Sequence, residues 1–188
     1  MPTLVLPDPS LVVLIGAAGS GKSTLAARLF AADEIVSSDA LRAVVSGDEA
    51  DQNVSGIAFR ILHRTVAKRL AAGRFTVVDA TNVVTSVRRP LIARARAAGL
   101  PVTAIVLDLD PDHVRRQNAG RTRIVGPDVV DRHLAAVRST VDSGRLALEG
   151  VDRIVVLTSP ADAAAISIER VAGPTAADDL GASRRPPR

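Results

Sequence analysis

The 188-residue sequence predicts an α/β protein, a five-stranded parallel sheet flanked by helices. Three observations carry that expectation. Short β-branched runs alternate with longer segments of helical periodicity, the pattern of a parallel sheet with crossover helices. The runs are apolar throughout, as strands covered on both faces are. Composition stays even until the last dozen or so residues, so one domain is expected over residues 11–171, after a lead-in of residues 1–10 and before a disordered basic tail of residues 172–188.

The lead-in, "MPTLVLPDPS", has no basic n-region, is broken by Pro2, Pro7 and Pro9, and never reaches membrane-spanning length. A soluble, cytoplasmic protein with no membrane partner is the expectation. The first strand, Leu11 to Ile15, runs into "GAAGSGKST". Gly16-Ala17-Ala18-Gly19-Ser20-Gly21-Lys22-Ser23 fits G-x-x-x-x-G-K-[ST], with Thr24 closing the stretch, in the strand-to-helix context that a phosphate-binding loop requires. Successive backbone N–H groups form an anion cradle, and small side chains let the backbone approach the phosphates. Lys22 would neutralise the β- and γ-phosphates of ATP, and the Ser23 hydroxyl would coordinate Mg²⁺. The plain alternative is a Gly-rich turn at a helix start. Such a loop marks nucleotide binding and leaves the phosphate acceptor open.

The second strand, Glu34 to Val36, leads into "SSDALR", placing Asp39 and Arg42 on one face of a helix's first turn. Beyond the carboxyl end of a parallel strand, Asp39 projects toward the ligand crevice and could accept a hydroxyl proton while Arg42 binds phosphate. Equally, Ser38 or Asp39 could simply cap the helix. Phe59, Leu62, Val66 and Leu70 recur at helical spacing within Asp51 to Ala72, and Gly73 closes that helix.

A third strand, Thr76 to Val78, ends in "VVDATN". If it lies beside the first strand, Asp79 faces the Mg²⁺ region; an Asx turn involving Asp79 and Asn82 is the alternative. A helix over Ser86 to Ala98 and a strand over Val102 to Leu107 follow. Asp108 and Asp110 are weaker metal candidates, better explained as caps for a helix from Pro111 to Ala119. Next, "RRQNAGRTRIVGPDVVDRH" presents Arg115, Arg116, Arg121 and Arg123 before a Gly-Pro turn. Arg121 and Arg123 suit a lid that closes over a triphosphate, whereas Arg115 and Arg116 read as a solvated face. A helix from Pro127 to about Val141, a strand from Arg153 to Leu157 and a short helix from Ala161 to Glu169 complete the domain.

Composition narrows the chemistry. Without cysteine there is no disulfide, thiolate metal site or cysteine nucleophile. His63, His113 and His133 lack metal or triad spacing, so structural or surface roles are expected. The net charge is +4, and all basic residues except Lys22 and Lys68 are arginines, which suits phosphate binding. Only Phe30, Phe59 and Phe75 are aromatic, so any nucleic-acid contact must rest on phosphates and end geometry rather than extensive base stacking.

In order, "GAAGSGKST", "SSDALR", "DEADQNVSGIAFRILHRTVAKRLAAG", "VVDATNV", "RRPLIARA" and "GRTR" resemble the 5′-polynucleotide kinase domain of bacterial polynucleotide kinase-phosphatase repair enzymes, over roughly residues 10–170. The resemblance implies a P-loop kinase fold with a helical lid at about residues 114–128, and transfer of the ATP γ-phosphate, with Mg²⁺, to a 5′-OH end of RNA or DNA. It carries Lys22 and Ser23 onto the phosphate-loop lysine and metal-binding serine, Asp39 onto the acid that activates the 5′-OH, and Arg42 onto the neighbouring arginine. Arg121 matches a lid arginine, and Arg123 another if the lid is one residue shorter. Gln117 stands where similar sequences have a further lid arginine, implying a weaker nucleotide grip or lower rate. The phosphatase and ligase modules found beside this kinase are missing from the chain, so separate phosphatase and ligase proteins would be its partners. Two other readings of the residues stand beside this one: a kinase for a small metabolite, and a nucleotide-binding regulatory module that transfers nothing.

Overall fold

The computed structural model describes residues 3–46 and 55–173. The start of the helix expected from Asp51, and the expected tail beyond residue 173, lie outside the described residues. The elements in chain order are β1 (Thr3–Asp8), β2 (Leu11–Gly16), α1 (Lys22–Leu29), β3 (Ile35–Ser37), α2 (Ser38–Ser46), α3 (Ser55–Ala71), β4 (Thr76–Asp79) and α4 (Thr85–Ala97). They continue with β5 (Val102–Leu107), α5 (Pro111–Ala119), α6 (Pro127–Asp142), α7 (Arg145–Leu148), β6 (Arg153–Leu157), α8 (Pro160–Ala165) and β7 (Ser167–Ala172).

Five strands form the expected parallel sheet, in the order β3-β4-β2-β5-β6. Strand β2 is central and buried along its whole length. Its side chains alternate between faces, so Leu11, Val13 and Ile15 pack with Leu62, Val66, Leu91 and Val106, while Val12 and Leu14 pack with Leu25, Phe30, Val77 and Ile105. This two-sided burial is why the strand reads as an unbroken apolar run. It also fixes the site: the carboxyl ends of β2, β3 and β4 converge on one edge, with Ser37 level with Asp79.

The two ends of the domain depart from expectation. Residues of the lead-in form β1, which pairs in parallel with β7 as a separate two-stranded sheet, from Thr3 opposite Ser167 to Asp8 opposite Ala172. Leu4 and Leu6 are buried against the α1 side of the core. The helix expected over Ala161 to Glu169 is instead α8, which starts at Pro160 after a Ser159 capping box, followed by β7. The β-branched Ile168 and Val171 gain a strand partner there, and that pairing overrides the helical propensity of the alanines. Polar links add to the burial of Leu4 and Leu6 in holding the clasp to the body, among them a bond from Arg153 of β6 to the Val5 carbonyl at 2.8 Å. Arg170 makes a two-pronged bond to Glu34 at 2.6 Å, and its guanidinium stacks 4.0 Å over the Phe75 ring.

Candidate active site

The phosphate loop leaves β2 at Gly16, whose N–H donates to the Thr81 carbonyl at 3.1 Å, and enters α1 at Lys22. Two glycines are required by geometry. Gly19 and Gly21 have φ of +82° and +89°, a region costly for other residues. A Cβ on Gly19 would also lie 2.8 Å from the Cβ of Asn118, so α5 packs directly on the loop. Lys22 is 7% exposed, and its ammonium donates to the Ala17 carbonyl at 2.7 Å. Burial pulls its pKa down to about 8; Asp79 opposes that shift and Arg121 adds to it. At pH 7 it still carries its charge.

Because β4 lies beside β2, the Ser23 hydroxyl donates to Asp79 Oδ2 at 2.8 Å. A hydroxyl and a carboxylate held together at the helix start are hard oxygen ligands suited to Mg²⁺, which commonly takes one or two protein oxygens and fills the rest of its shell with phosphate and water. Among the described residues, no cluster of three acidic or histidine side chains could hold a metal alone. The cradle and the oxygen pair therefore fit a magnesium nucleotide.

Asp39 and Arg42, in the first turn of α2, form an ion pair, and Arg123 approaches the same carboxylate at 3.8 Å. The cap reading of Asp39 finds no support, since the Ser37 hydroxyl is the side chain near the α2 N-terminus, 3.5 Å from the Ala40 amide. Arg121 and Arg123 lie on the loop between α5 and α6, so the arginines sit between the helices of the expected lid. One cavity of about 360 Å³ collects these groups: it is lined by Ala18, Gly19, Gly21, Lys22, Ser23, Thr24, Asp39, Arg42, Asp79, Gln117, Arg121 and Arg123. Its size is in the range of small-ligand sites. Asp108 and Asp110 do not line it. Asp108 pairs with Arg138 at 3.2 Å, and Asp110 caps α5 through the His113 amide at 2.8 Å. Arg115 bonds Asp112 and Asp131 on the surface, away from the cavity.

Residues 11–143 match the model of the AAA domain family. The chain belongs to that family. The AAA domain described here has the P-loop kinase-like fold, and solved structures similar to it share that fold at low identity. One belongs to the PezAT chromosomal toxin-antitoxin system of Streptococcus pneumoniae, at 17% identity and a TM-score of 0.57 over 83% of this chain and 69% of that one. A gluconokinase from Sinorhizobium meliloti matches at 18% identity and a TM-score of 0.51, over 81% and 84% of the two chains. A chain of the Pnkp1/Rnl/Hen1 complex matches at 21% identity and a TM-score of 0.50, over 64% of this chain and 41% of that one. No curated protein matches.

Asn118 and His133 of this AAA domain's site carried no motif in the sequence, and Phe59 was read there only as part of a helix's apolar face. Asn118, 5% exposed, donates to the Val125 carbonyl at 2.8 Å and accepts from the Val125 amide at 3.2 Å, closing the arginine loop on itself while touching Gly19. His133 of α6 lines the cavity, with Nδ1 3.5 Å from the Ala18 amide. Its pKa is lowered by burial and then by Lys22 and Arg132, so the ring is neutral at pH 7. Phe59 of α3 lines the same cavity.

Proposed function

We propose that this protein is an ATP-dependent kinase that phosphorylates the 5′-hydroxyl end of RNA or DNA. The observation that carries the reading is the placement of Asp39 and Arg42 in the same cavity as Lys22, Ser23 and Asp79. A phosphate loop alone binds nucleotide. A carboxylate with an adjacent guanidinium, across the cavity from that loop, adds what an acceptor hydroxyl needs.

When bound, MgATP supplies the phosphoryl group and the metal charge that draws electron density toward the leaving oxygen. Within the chain, Asp39 takes the proton from the attacking hydroxyl, and Arg42 and Arg123 hold that carboxylate in place. Lys22 and Arg121 line the same cavity and would offset the charge spread over the transferring group. Gln117, beside Gly21, supplies an uncharged amide. The sequence resemblance favours a polynucleotide end over a small metabolite; the fold is compatible with both. Incubation with γ-labelled ATP, Mg²⁺ and a 5′-OH oligonucleotide should yield a labelled 5′ end. A folded protein that labels small metabolites while oligonucleotides stay inert would point to the metabolite reading.

A further inference from the structure

The positive charge of this protein is not spread evenly. Between Asp51 and Asp108 the sequence holds nine Lys and Arg and one acid, Asp79, a net of +8 in a chain whose total is +4. The remaining residues therefore sum to −4. Asymmetry on this scale within one domain is the electrostatic footprint of a surface that meets a polyanion.

Most of these nine cations have local work. Arg88 pairs with Glu149 at 2.7 Å, Arg96 with Asp152 at 3.1 Å, and Arg74 approaches Asp33 at 3.8 Å. Arg69 bonds the Phe75 carbonyl, and Arg94 bonds the Pro90 carbonyl and His63. Arg89 of α4 is exposed and makes no ion pair among the described residues, but it stands alone, whereas Arg60, Arg64 and Lys68 share one helix. All three are exposed, and no ion pair involves them among the described residues. They fall at i, i+4 and i+8 of α3, which carries no acid at all, on the side opposite the buried Leu62, Val66 and Leu70. Helical rise places them about 6 Å apart in a row, a spacing on the scale of successive phosphates along a strand.

The row is continuous with the active site. Phe59, next to Arg60, lines the cavity, and α3 runs from there toward the opposite edge of the sheet. We propose that Arg60, Arg64 and Lys68 form a track for the phosphodiester backbone of a single-stranded polynucleotide whose 5′ end lies at Asp39. The track rests on the polynucleotide reading above and extends it: the enzyme grips several nucleotides downstream of the reacting end, without reading their bases. Charge complementarity selects this occupant. Three regularly spaced cations suit a regularly charged chain, and the scarcity of aromatic residues leaves the phosphates as the feature to be held.

The test uses the full chain and the triple variant Arg60→Gln, Arg64→Gln, Lys68→Gln, with thermal melts to show that both fold. Binding of a 3′-labelled, 5′-OH single strand long enough to span α3 is measured by fluorescence anisotropy across a salt series. Loss of three contacts should reduce the slope of log affinity against log salt by about 2. In the kinase assay, KM for the long strand should rise severalfold in the variant, while KM for a dinucleotide acceptor, KM for ATP and kcat hold. Equal slopes and equal KM values for the two proteins would overturn the track, as would parallel weakening of long and short acceptors, or competition by polyglutamate as effective as that by the unlabelled strand. If the wild type binds the strand with a slope that the variant loses, yet labels no 5′ end, the kinase reading falls and the track stands. If it binds no strand, both fall.

Discussion

At the scale of single residues, the proposed reaction divides cleanly between donor and acceptor groups. Asp39→Asn should lower phosphoryl transfer by about 10²- to 10⁴-fold, the usual worth of a positioned base, with ATP affinity within a few-fold of wild type in a direct binding titration. Equal loss of binding would make Asp39 a structural residue. Asn118→Ala should release the loop that carries Arg121 and Arg123, so limited tryptic digestion should cut after those arginines faster than in wild type. An unchanged cleavage rate would show that Asn118 does not restrain the loop. The two residues also differ in how legible they were. Lys22, Ser23 and Asp39 sit at places where a motif or a strand end dictates which way a side chain points. Asn118 and His133 matter through contacts made across about a hundred residues of sequence, to Gly19 and to Ala18, and no local pattern encodes those meetings.

At the scale of elements, strands and helices between residues 11 and 157 follow the expected order closely, because a two-sided sheet writes its strands as apolar runs and its helices end at glycines and prolines. What the pattern did not convey is how the loop after β4 is held. Arg88, fully buried on α4, donates to both oxygens of Glu149 and to the Asn82 carbonyl at 2.8 Å, while the Asn82 amide donates to the Leu14 carbonyl of β2 at 2.8 Å. Asn82 itself sits at φ +48°. This network locks the loop after Asp79 to the strand bearing the phosphate loop, and the Asx-turn reading of "VVDATN" finds no support: the Asn82 amide donates to the Leu14 and Ala80 carbonyls, while its Oδ1 accepts no hydrogen bond among the described residues. Removing one partner leaves a buried charge unpaired, so Arg88→Ala should cost about 3–5 kcal/mol of stability in denaturant unfolding. Arg88→Met combined with Glu149→Leu should recover most of it. Failure of the double variant to recover would mean that the bond to Asn82, rather than the charge pair, carries the effect.

For the whole molecule, pH acts on stability through two histidines whose folded pKa values lie below the ordinary value, His63 by burial and then Arg94, His133 by burial and then Lys22 and Arg132. Below about 6.5 the unfolded chain takes up protons that the folded one resists, so their contribution is whole above that pH and is lost as pH falls through the window beneath it. Melting temperature should therefore decline from pH 7 to pH 5.5, and less steeply in a variant carrying His63→Asn and His133→Asn; identical slopes would assign the acid sensitivity to other groups. The clasp of β1 and β7 joins residues 3–8 to residues 167–172 in parallel register. On a ribosome, β1 emerges before its partner β7 and must wait with both edges bare until nearly all of the described domain has been made. The central sheet, whose strands span residues 11–157, can assemble before that partner appears, which makes closure of the clasp the last step of maturation. A nascent chain stalled just after β6 should thus display a folded nucleotide site alongside a β1 segment still open to capture by chaperones.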